Sequence, residues 1–565
     1  MSKFAIGIDY GTESGRAVLV NIATGAEVAQ AVLQYPHGVM DRRLPDGTPL
    51  AKDWALQHPA DYLAVIYRTV PAVLKQGRVK AADVVGIGID FTACTMLPVK
   101  ADGTPLCFLN QFKSNPHAYV KLWKHHAAQP EADRINALAR KRGEKWLKFY
   151  GGRISSEWFF AKALQILDEA PRVYRAADRL IEAADWTIWQ LTGVETRNAC
   201  TAGYKAIWDA QTGYPSREYL RALDPAFADV VRDKMAGPVL PIGARAGGLT
   251  AAMAKKTGLR PGTAVAVANV DAHVSVPPAT ITSTGKMLMI MGTSICHMVL
   301  GKTKKAVEGQ CGVVKDGILP GFYGYEAGQS GAGDILAWYV KNGVPAAYAA
   351  EARARKVDIH GLLEQKAAAL APGESGVLAL DWFNGNRSVL VDVDLTGMFV
   401  GLSITTLPEE IYRAMIESLA FGTRTIIENF ESQGIAIREL YACGGLPEKN
   451  DLLMQIFADV TGRTIRVARS AQAPAVGSAM FGAVAAGRAG GGYASIDDAV
   501  RRMAGLKKKM WKPDRAHKPV YDRLFAEYCT LHDYFGRGAN DVMKRLKRLT
   551  AAQKEHGRGA ASSKS

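Results

Sequence analysis

The sequence predicts an α/β protein made of two similar domains, because one short motif occurs twice, far apart in the chain. Residues 4–20 read as a strand, a tight turn at Thr12 and a second strand. Residues 287–300 repeat this pattern, with the turn at Thr293. Apolar runs on both sides of a short glycine-containing turn indicate a β-hairpin. The two copies are too far apart for a solenoid repeat, so they indicate two domains rather than an array.

Strands alternate with helices through the first half of the chain. Residues 84–90 form an apolar run that predicts a buried strand, and residues 154–168 and 178–192 have the apolar periodicity of helices. Residues 258–262 contain two glycines and a proline, which are typical of a turn, and residues 263–268 form another apolar strand. We place the boundary between the two predicted domains at this turn, after residue 262.

The second half begins with its own hairpin and then repeats the alternation of strand and helix. Residues 440–443 predict a strand and residues 451–461 a helix. Residues 475–486 have small side chains at positions 475, 479, 482, 483 and 486, which predicts a flat helix face for close packing. Alternating strands and helices in both halves indicate α/β domains whose helices cover the sheets. The predicted domains are residues 1–262 and 263–535, followed by a flexible, basic tail over residues 536–565.

Size and composition indicate a globular protein. The chain has 565 residues, of which 48% are hydrophobic and 22% charged, values that suit two folded domains. No apolar stretch reaches the roughly 18–20 residues that a membrane helix needs, and the N-terminal apolar run is interrupted at Asp9. The seven cysteines are scattered, without a C-x-x-C pair, which indicates reduced thiols. We therefore expect a cytoplasmic protein with no membrane partner.

The formal net charge of +16 raises the question of a nucleic-acid partner. Residues 505–565 contain 15 Lys or Arg against 6 Asp or Glu, which accounts for more than half of the excess charge. The aromatic residues of this region have a spacing that suits a helix packed on the body, and no zinc-finger, RNP or basic-zipper pattern accompanies them. We expect a solvated basic C-terminus and no nucleic-acid partner, with a mild electrostatic attraction for anionic ligands.

Two aspartates at strand ends are candidates for chemistry. Asp9 follows the first strand, where a carboxylate can hold Mg²⁺ against phosphate oxygens. Asp271 follows the strand at the domain junction, a suitable place for a general base. Each also has an ordinary explanation, since Asp9 can shape the turn and Asp271 can cap a helix. The hairpin tips at Gly11 and Gly292 expose backbone N–H groups that can bind phosphate, or they are plain surface turns.

Two further glycine-rich segments and one tryptophan stand out. Gly444 and Gly445 lie between a predicted strand and a predicted helix, where flat backbone can lie against a nucleotide. An ordinary strand-to-helix turn has the same pattern. Residues 326–334 form another glycine-rich entry to a helix, and Trp123 suits either a sugar platform or an ordinary core position.

The order and spacing of these motifs resemble the FGGY carbohydrate kinases. The resemblance rests on the hairpins at residues 7–12 and 291–294, the loop at Asp271 and the glycine pair at 444–445, and it extends to about residue 535. It implies two actin-like (ribonuclease H-like) ATPase domains, with ATP and a sugar in the cleft between them. Longer stretches are similar to the family members that phosphorylate L-ribulose, namely residues 88–95, 115–126, 202–206, 269–274 and 326–330.

The resemblance also implies an activity and a set of site residues. ATP would phosphorylate the 5-hydroxyl of L-ribulose, giving L-ribulose 5-phosphate in arabinose catabolism, with Asp271 as the catalytic base and Asp9 as the Mg²⁺ ligand. The residues implied to contact the sugar are Ala93, Trp123, Lys205, Asp271 and Glu326. The residues implied to bind the nucleotide are Gly11, Thr12, Gly292, Thr293, Gln329, Gly331, Gly444, Gly445 and Asn450. The partners are then the sugar and ATP, and a homodimer stays open.

Three alternatives remain open at this point. The enzyme could act on another pentulose or pentitol, such as D-ribulose, L-xylulose or ribitol. An actin-like or chaperone-like ATPase would share the two-domain architecture, although the polar set at Trp123, Lys205 and Glu326 argues against it. A nucleic-acid-binding protein would use the basic tail. For Lys205 and Glu326 a second explanation is a surface or interdomain ion pair without a role in sugar binding.

Overall fold

A computed structural model describes residues 2–562, and both halves of the chain mix strands and helices. The strands of the first half are β1 (Phe4–Tyr10), β2 (Ser14–Asn21), β3 (Glu27–Gln34), β4 (Leu56–Gln57), β5 (Val84–Phe91), β6 (Met96–Val99), β7 (Val120–Lys121), β8 (Arg179–Glu182), β9 (Arg197–Asn198), β10 (Val239–Leu240), β11 (Arg245–Gly248), β12 (Ala264–Ala266) and β13 (Asn269–Val270). Its helices are α1 (Pro59–Gly77), α2 (Gln129–Arg142), α3 (Phe159–Glu169), α4 (Pro171–Ala176), α5 (Ala183–Thr192), α6 (Ala199–Lys205), α7 (Arg217–Leu223), α8 (Val230–Lys234), α9 (Ala251–Thr257) and α10 (Asp271–Val274).

The second half has the same mixture. Its strands are β14 (Lys286–Met291), β15 (Ile295–Gly301), β16 (Gly312–Lys315), β17 (Tyr323–Gln329), β18 (Leu378–Leu380), β19 (Met398–Val400), β20 (Glu439–Cys443), β21 (Ile465–Ala468) and β22 (Leu506–Trp511). Its helices are α11 (Gly333–Asn342), α12 (Ala346–Ala354), α13 (Ile359–Ala368), α14 (Pro408–Ser432), α15 (Leu446–Lys449), α16 (Asp451–Thr461), α17 (Ala473–Ala486), α18 (Ile496–Met503), α19 (Lys518–Gly536) and α20 (Val542–Ser562).

The two large sheets have the same topology. The first has the order β11-β12-β5-β1-β2-β3, and the second has the order β16-β17-β15-β14-β20-β21-β22. In each, two further strands follow a three-stranded antiparallel meander and run parallel to its first strand. These are β5 and β12 beside β1 in the first sheet, and β20 and β21 beside β14 in the second. An antiparallel edge strand, β11 or β22, then closes each parallel end. The repeated hairpin motif is therefore the visible part of a duplicated domain.

Both predicted hairpins are present. β1 pairs with β2 from Phe4↔Asn21 to Tyr10↔Gly15, and β14 pairs with β15 from Met287↔Val299 to Met291↔Ile295. The apolar runs of both hairpins are buried on the sheets, as their composition predicts. The strand at residues 440–443 and the helix at residues 451–461 are also confirmed.

Some sequence predictions differ from the structure. Residues 179–182 are a strand and not the start of a helix, because Arg179–Glu182 pairs with Met96–Val99 in a small four-stranded sheet. The helix begins only at Ala183. The first large sheet also extends past residue 262, since β12 and β13 both pair with β5.

Helix α17 belongs to the second half in sequence but packs on the first sheet. A Cβ atom on Gly7, Gly86 or Gly88 would lie only 1.7–2.0 Å from a backbone carbonyl oxygen of this helix. The small residues along α17 therefore form the flat face that the sequence predicts, and glycines in β1 and β5 provide the complementary surface. This contact is a direct junction between the two halves of the molecule.

The C-terminal segment contains a helix where the sequence predicts a flexible tail. The first turns of α20 contact the second half: Met543 is buried in its core, and Lys544 and Lys547 pair with Asp392 and Asp394. Residues 563–565, at the end of the predicted tail, lie outside the described residues. Among residues 2–562, no helix combines the length and apolar character needed to span a membrane.

Candidate active site

Three carboxylates lie together at the carboxyl ends of the central strands of the first sheet. The register of β1 and β5 places Asp9 beside Asp90. Strand β13 pairs with the end of β5, with Asn269 opposite Asp90, so Asp271 follows at the same edge as the first residue of α10. The carboxyl ends of parallel strands are the usual location of a ligand site in open α/β sheets.

The hydrogen bonds of this cluster leave it with excess negative charge. The Arg16 Nε lies 3.3 Å from Asp9 Oδ2, the Ser478 hydroxyl donates to Asp90 Oδ2 at 2.6 Å, and the Ala272 N–H donates to Asp271 Oδ1 at 2.6 Å. Arg16 is thus the one cation paired with the three carboxylates among the described residues.

Burial raises the pKa of each of these carboxyls, and the charge of Asp9 raises the pKa of Asp90 and of Asp271 further. For Asp9, burial raises the pKa despite the opposing effect of Arg16. For Asp90, burial and the charge of Asp9 raise the pKa well above its ordinary value. Loss of solvation and the nearby Asp9 raise the pKa of Asp271 to about 7. A carboxyl with a pKa near neutrality can both accept and release a proton at physiological pH, which is what a general base requires.

A buried ion pair joins the two halves next to these carboxylates. The Lys205 Nζ, at the end of α6, donates to both oxygens of Glu326 on β17, at 3.0 and 3.2 Å. Their side chains are only 6% and 3% exposed. The ion pair that the sequence leaves open as an alternative is therefore present, and it is buried rather than on the surface.

Glu326 has two further cationic or polar neighbours. Arg387 donates to Glu326 Oε1, and His273 Nε2 lies 3.4 Å from Glu326 Oε2. Burial opposes the charge of Glu326, but Lys205, His273 and Arg387 together hold its pKa well below the usual range. Burial likewise opposes the charge of Lys205, yet Glu326 raises the Lys205 pKa. The site therefore contains a permanently charged acceptor and a permanently charged donor.

Ala93 and Trp123 lie on neighbouring loops of the first half. Ala93 lies in the partly buried loop after β5. Trp123 is 36% exposed, and its indole Nε1 donates to the Thr12 hydroxyl at 3.0 Å. Trp123 is thus not an ordinary core residue, because its ring reaches the tip of the first hairpin. The glycine of that tip, Gly11, donates its N–H to the Ser14 carbonyl at 2.9 Å.

The glycine-rich segments of the second half meet at the second hairpin. The N–H groups of Ala332 and Gly333, directly after Gly331, donate to the carbonyls of Thr293 at 2.7 Å and Gly292 at 3.0 Å. Gly444 has φ of +101°, and a Cβ there would lie 2.4 Å from the carbonyl oxygen of Met291 on β14. The hairpin tip, the start of α11 and the turn after β20 therefore form one surface.

This surface has an open face of bare backbone. A Cβ built on Gly292 or on Gly445 would have no atom within 4 Å. Backbone that is free of side chains and open to space can lie directly against a phosphate or a nucleotide.

The side chains of Gln329 and Asn450 are engaged inside the second half. The Gln329 amide donates to Asp381 Oδ2 and to the Leu419 carbonyl, at 2.8 and 2.9 Å, and accepts from Thr423. Asn450 caps α16 by accepting from the Leu453 N–H at 2.8 Å. Both amides are therefore engaged in hydrogen bonds within the second half, and the nucleotide contacts expected for Gln329 and Asn450 stay a prediction.

Two residues of the site, Asp90 and Arg387, are not predicted from the sequence. Asp90 ends an apolar strand as Asp9 does, so the same signal could have identified it. Arg387 lies in the irregular segment between β18 and β19, where no periodicity or turn pattern marks it. Only the fold brings Arg387 to Glu326.

Comparisons with known proteins place this arrangement in a family. The chain matches the FGGY family of carbohydrate kinases, with the N-terminal domain over residues 4–276 and the C-terminal domain over residues 287–486. The chain belongs to the FGGY family of carbohydrate kinases. As an FGGY kinase it uses ATP to phosphorylate a carbohydrate, so the predicted enzyme class is confirmed.

Curated relatives are similar to this FGGY kinase over nearly their whole lengths. A protein named ribulokinase from Halalkalibacterium halodurans is 58% identical, covering 98% of both chains. A ribulokinase from Geobacillus thermodenitrificans is 59% identical, covering 96% of this chain and 97% of the relative. A ribulokinase from Mycolicibacterium smegmatis is 51% identical, with 96% of each chain covered.

Solved structures share the fold of this FGGY kinase at low identity. Xylulose kinase from Rhodospirillum rubrum superposes with a TM-score of 0.77 at 23% identity, covering 94% of this chain and 98% of the other. Ligand-bound xylulose kinase from Lactobacillus acidophilus gives a TM-score of 0.78 at 17% identity, with 95% and 99% covered. Together with the duplicated sheets, these matches confirm the predicted fold class of two actin-like domains.

Proposed function

We propose that this FGGY kinase phosphorylates L-ribulose at its 5-hydroxyl, giving L-ribulose 5-phosphate for arabinose catabolism. The observation that carries the proposal is the position of Asp271, a carboxyl with a pKa of about 7 beside the buried Lys205–Glu326 pair. The choice of sugar rests on the ribulokinases that are more than 50% identical over almost the whole chain.

In the proposed reaction, Asp271 is the general base. A sugar hydroxyl is a weak nucleophile until its proton is accepted, and Asp271 would accept that proton as the oxygen attacks the γ-phosphorus of ATP. The bond from the γ-phosphorus to the β,γ-bridging oxygen breaks, and ADP leaves. Alignment of the hydroxyl with the γ-phosphate supplies much of the remaining acceleration.

Lys205 and Glu326 would bind the other hydroxyls of the sugar. Lys205 donates hydrogen bonds and Glu326 accepts them, so together they complement a polyol. Trp123 would provide a ring face for the carbon chain, and the Ala93 loop would form the adjacent wall. Since Lys205 and Glu326 come from different halves, a bound sugar would contact both, which favours closure of the cleft and exclusion of water.

The two hairpin tips and the glycine surface would hold ATP. Gly11 and Thr12 would face the phosphates from one side, and Gly292 and Thr293 from the other. Gly331, Gly444 and Gly445 would form the bed of the nucleotide, supported from below by Gln329 and Asn450. Backbone N–H groups that are not bonded within the hairpins suit this role, because they are fixed donors to an anion. The N–H groups of Gly11 and Gly292 already donate to the carbonyls of Ser14 and Ser294.

The carboxylate cluster also fits Mg²⁺. Asp9 and Asp90 offer oxygen ligands, which Mg²⁺ prefers, and a divalent cation would offset the excess negative charge beside Arg16. We propose Asp9 as the ligand, directly or through water, with Asp90 next to it. When bound, Mg²⁺ neutralises charge on the transferring phosphoryl group.

All seven cysteines are free, which supports the cytoplasmic location expected from the sequence.

A panel of sugars tests the proposed substrate. ADP release is measured with saturating ATP and L-ribulose, D-ribulose, L-xylulose or ribitol. We expect the highest kcat/KM with L-ribulose. A clear preference for another sugar would leave the kinase assignment in place and change the proposed substrate. Sugar-independent ATP turnover would favour the actin-like or chaperone-like ATPase.

A further inference from the structure

We infer that Lys162 is a positioning residue of the sugar pocket, whose ammonium group ties the Ala93 loop to the Trp123 loop. This inference rests on the proposed function, because the proposed sugar pocket includes both loops. Nothing in the sequence marks Lys162, which lies in the apolar helix α3 (Phe159–Glu169) and is 0% exposed.

The contacts of Lys162 are backbone carbonyls at the two loops. Its Nζ donates to the Cys94 carbonyl at 2.5 Å and to the Leu122 carbonyl at 2.7 Å, with the Lys121 carbonyl at 3.4 Å. Cys94 follows Ala93 directly, and Leu122 precedes Trp123. One ammonium therefore holds the residues next to both proposed sugar contacts, and its three hydrogens match three acceptors.

A buried ammonium without a carboxylate in contact is unusual. Among the ion pairs of the described residues, none includes Lys162, and burial of such a charge is unfavourable unless hydrogen bonds compensate it. The carbonyl oxygens provide that compensation, so their positions are set by the ammonium. If Lys162 only filled space in an apolar helix, methionine, which has a similar shape, could replace it without moving either loop.

The Ala93 loop is held from its other side as well. The Thr95 N–H donates to Glu182 Oε2 at 2.9 Å, while Lys162 holds the Cys94 carbonyl. Between these two contacts, Cys94 has φ of +57°, in the left-handed region that a residue with a side chain rarely adopts. Such a conformation persists only where the surroundings hold it in place. Lys162 and Glu182 provide this hold.

Lys162 is also linked to the first hairpin. The Leu122 carbonyl fixes the start of the segment that carries Trp123, and the Trp123 indole donates to the Thr12 hydroxyl. Loss of the ammonium should therefore displace the Ala93 and Trp123 loops more than the tip of the first hairpin, because the tip keeps its own backbone hydrogen bonds.

Lys162→Met tests this inference, with Lys121→Met as the matched control. Lys121 is equally buried, but its ammonium contacts Gln165 at 2.8 Å and His125 at 3.4 Å instead of the two loop carbonyls. For Lys162→Met we expect the sugar KM to rise about 10- to 100-fold, the range for loss of charged hydrogen bonds. The KM for ATP should change less than about threefold. Lys121→Met should leave the sugar KM within about threefold of wild type.

The assay uses the sugar that the wild-type enzyme phosphorylates best in the panel, so a wrong substrate assignment does not decide the outcome. Lys162→Gln, which keeps donors without charge, should recover part of the sugar affinity, and it replaces Lys162→Met if that variant does not fold. An unchanged sugar KM in the folded Lys162 variants would overturn the inference. Equal effects on the sugar KM in the Lys162 and Lys121 variants would also overturn it, since they would indicate general loosening of the core.

Discussion

Asp271 is the residue on which the proposed chemistry depends most. It lies at the edge of the first sheet with Asp9 and Asp90, and loss of solvation together with the charge of Asp9 raises the pKa of its carboxyl to about 7. We predict that Asp271→Asn lowers kcat at least ~10²-fold, the usual effect of losing a general base. Thermal unfolding and ATP binding should stay close to wild type. Near-normal turnover in the folded variant would remove Asp271 from the mechanism.

The raised pKa of Asp271 also predicts a pH dependence. A general base acts in its ionised form, so activity is present above the folded-state pKa and is lost as the pH falls through it. Since that pKa is raised from 3.8 to about 7, kcat/KM should fall about tenfold per pH unit well below pH 7. The profile is measured for wild type and for the residual activity of Asp271→Asn. If kcat/KM falls in the same way at low pH in both proteins, a group other than Asp271 is responsible for the fall.

Lys205 and Glu326 form a buried ion pair between the two halves, and we propose that they also bind the sugar. Because the pair is buried, removal of one partner leaves an uncompensated charge, at a cost of about 3–5 kcal/mol in stability. We predict that Lys205→Met raises the KM for L-ribulose between a few-fold and ~100-fold while the KM for ATP stays nearly unchanged. Sugar titrations at saturating ATP check this. A loss of stability with an unchanged sugar KM would leave the pair with a structural role alone.

At the scale of elements, the sequence predicts what depends on local pattern and misses what depends on pairing partners. The hairpins, the helix at residues 451–461 and the small-residue face of α17 follow from apolar periodicity and residue size. The local pattern predicts a helix at residues 179–182, and the strand forms instead because these residues pair with β6, which is distant in the chain. Among the site residues, Asp9 and Asp271 follow from strand ends, but Arg387 reaches Glu326 from an irregular segment with no pattern of its own.

The contact between α17 and the first sheet predicts a strong effect of a small substitution. A Cβ on Gly88 would lie 1.8 Å from the Ser478 carbonyl oxygen, so the helix would have to move away from the sheet. We predict that Gly88→Ala lowers the free energy of unfolding by at least ~2 kcal/mol. Gly445→Ala is the matched control, because its Cβ would enter open space. It should leave stability nearly unchanged and raise the KM for ATP. Equal stabilities of the two variants in chemical denaturation would contradict the close packing.

The C-terminal helix predicts where the chain can be shortened. Met543, Lys544 and Lys547 contact the second half, whereas Thr550 is exposed. We predict that deletion of residues 550–565 leaves kinase activity and thermal stability unchanged. Deletion from residue 542 should lower the thermal stability, since it removes the buried Met543. A large loss of activity in the folded shorter deletion would make the tail part of the active enzyme.

At the scale of the whole molecule, several of the contacts between the two halves concern the site. Lys205 and Glu326 join them beside the proposed sugar pocket, α17 joins them under the first sheet, and Ser478 of that helix donates to Asp90. A movement of one half against the other would therefore change the sugar contacts and the carboxylate cluster together. We therefore expect sugar binding to complete the site for phosphoryl transfer before ATP reacts.

The most direct measurement of the central claim is the product formed from L-ribulose and ATP. Purified enzyme is incubated with Mg²⁺, ATP and L-ribulose, ADP is quantified, and the position of the phosphate is determined by phosphorus and carbon NMR. The proposed chemistry predicts one ADP for each sugar consumed and a phosphate on carbon 5. Absence of sugar-dependent ADP release, or a phosphate on another carbon, would contradict it.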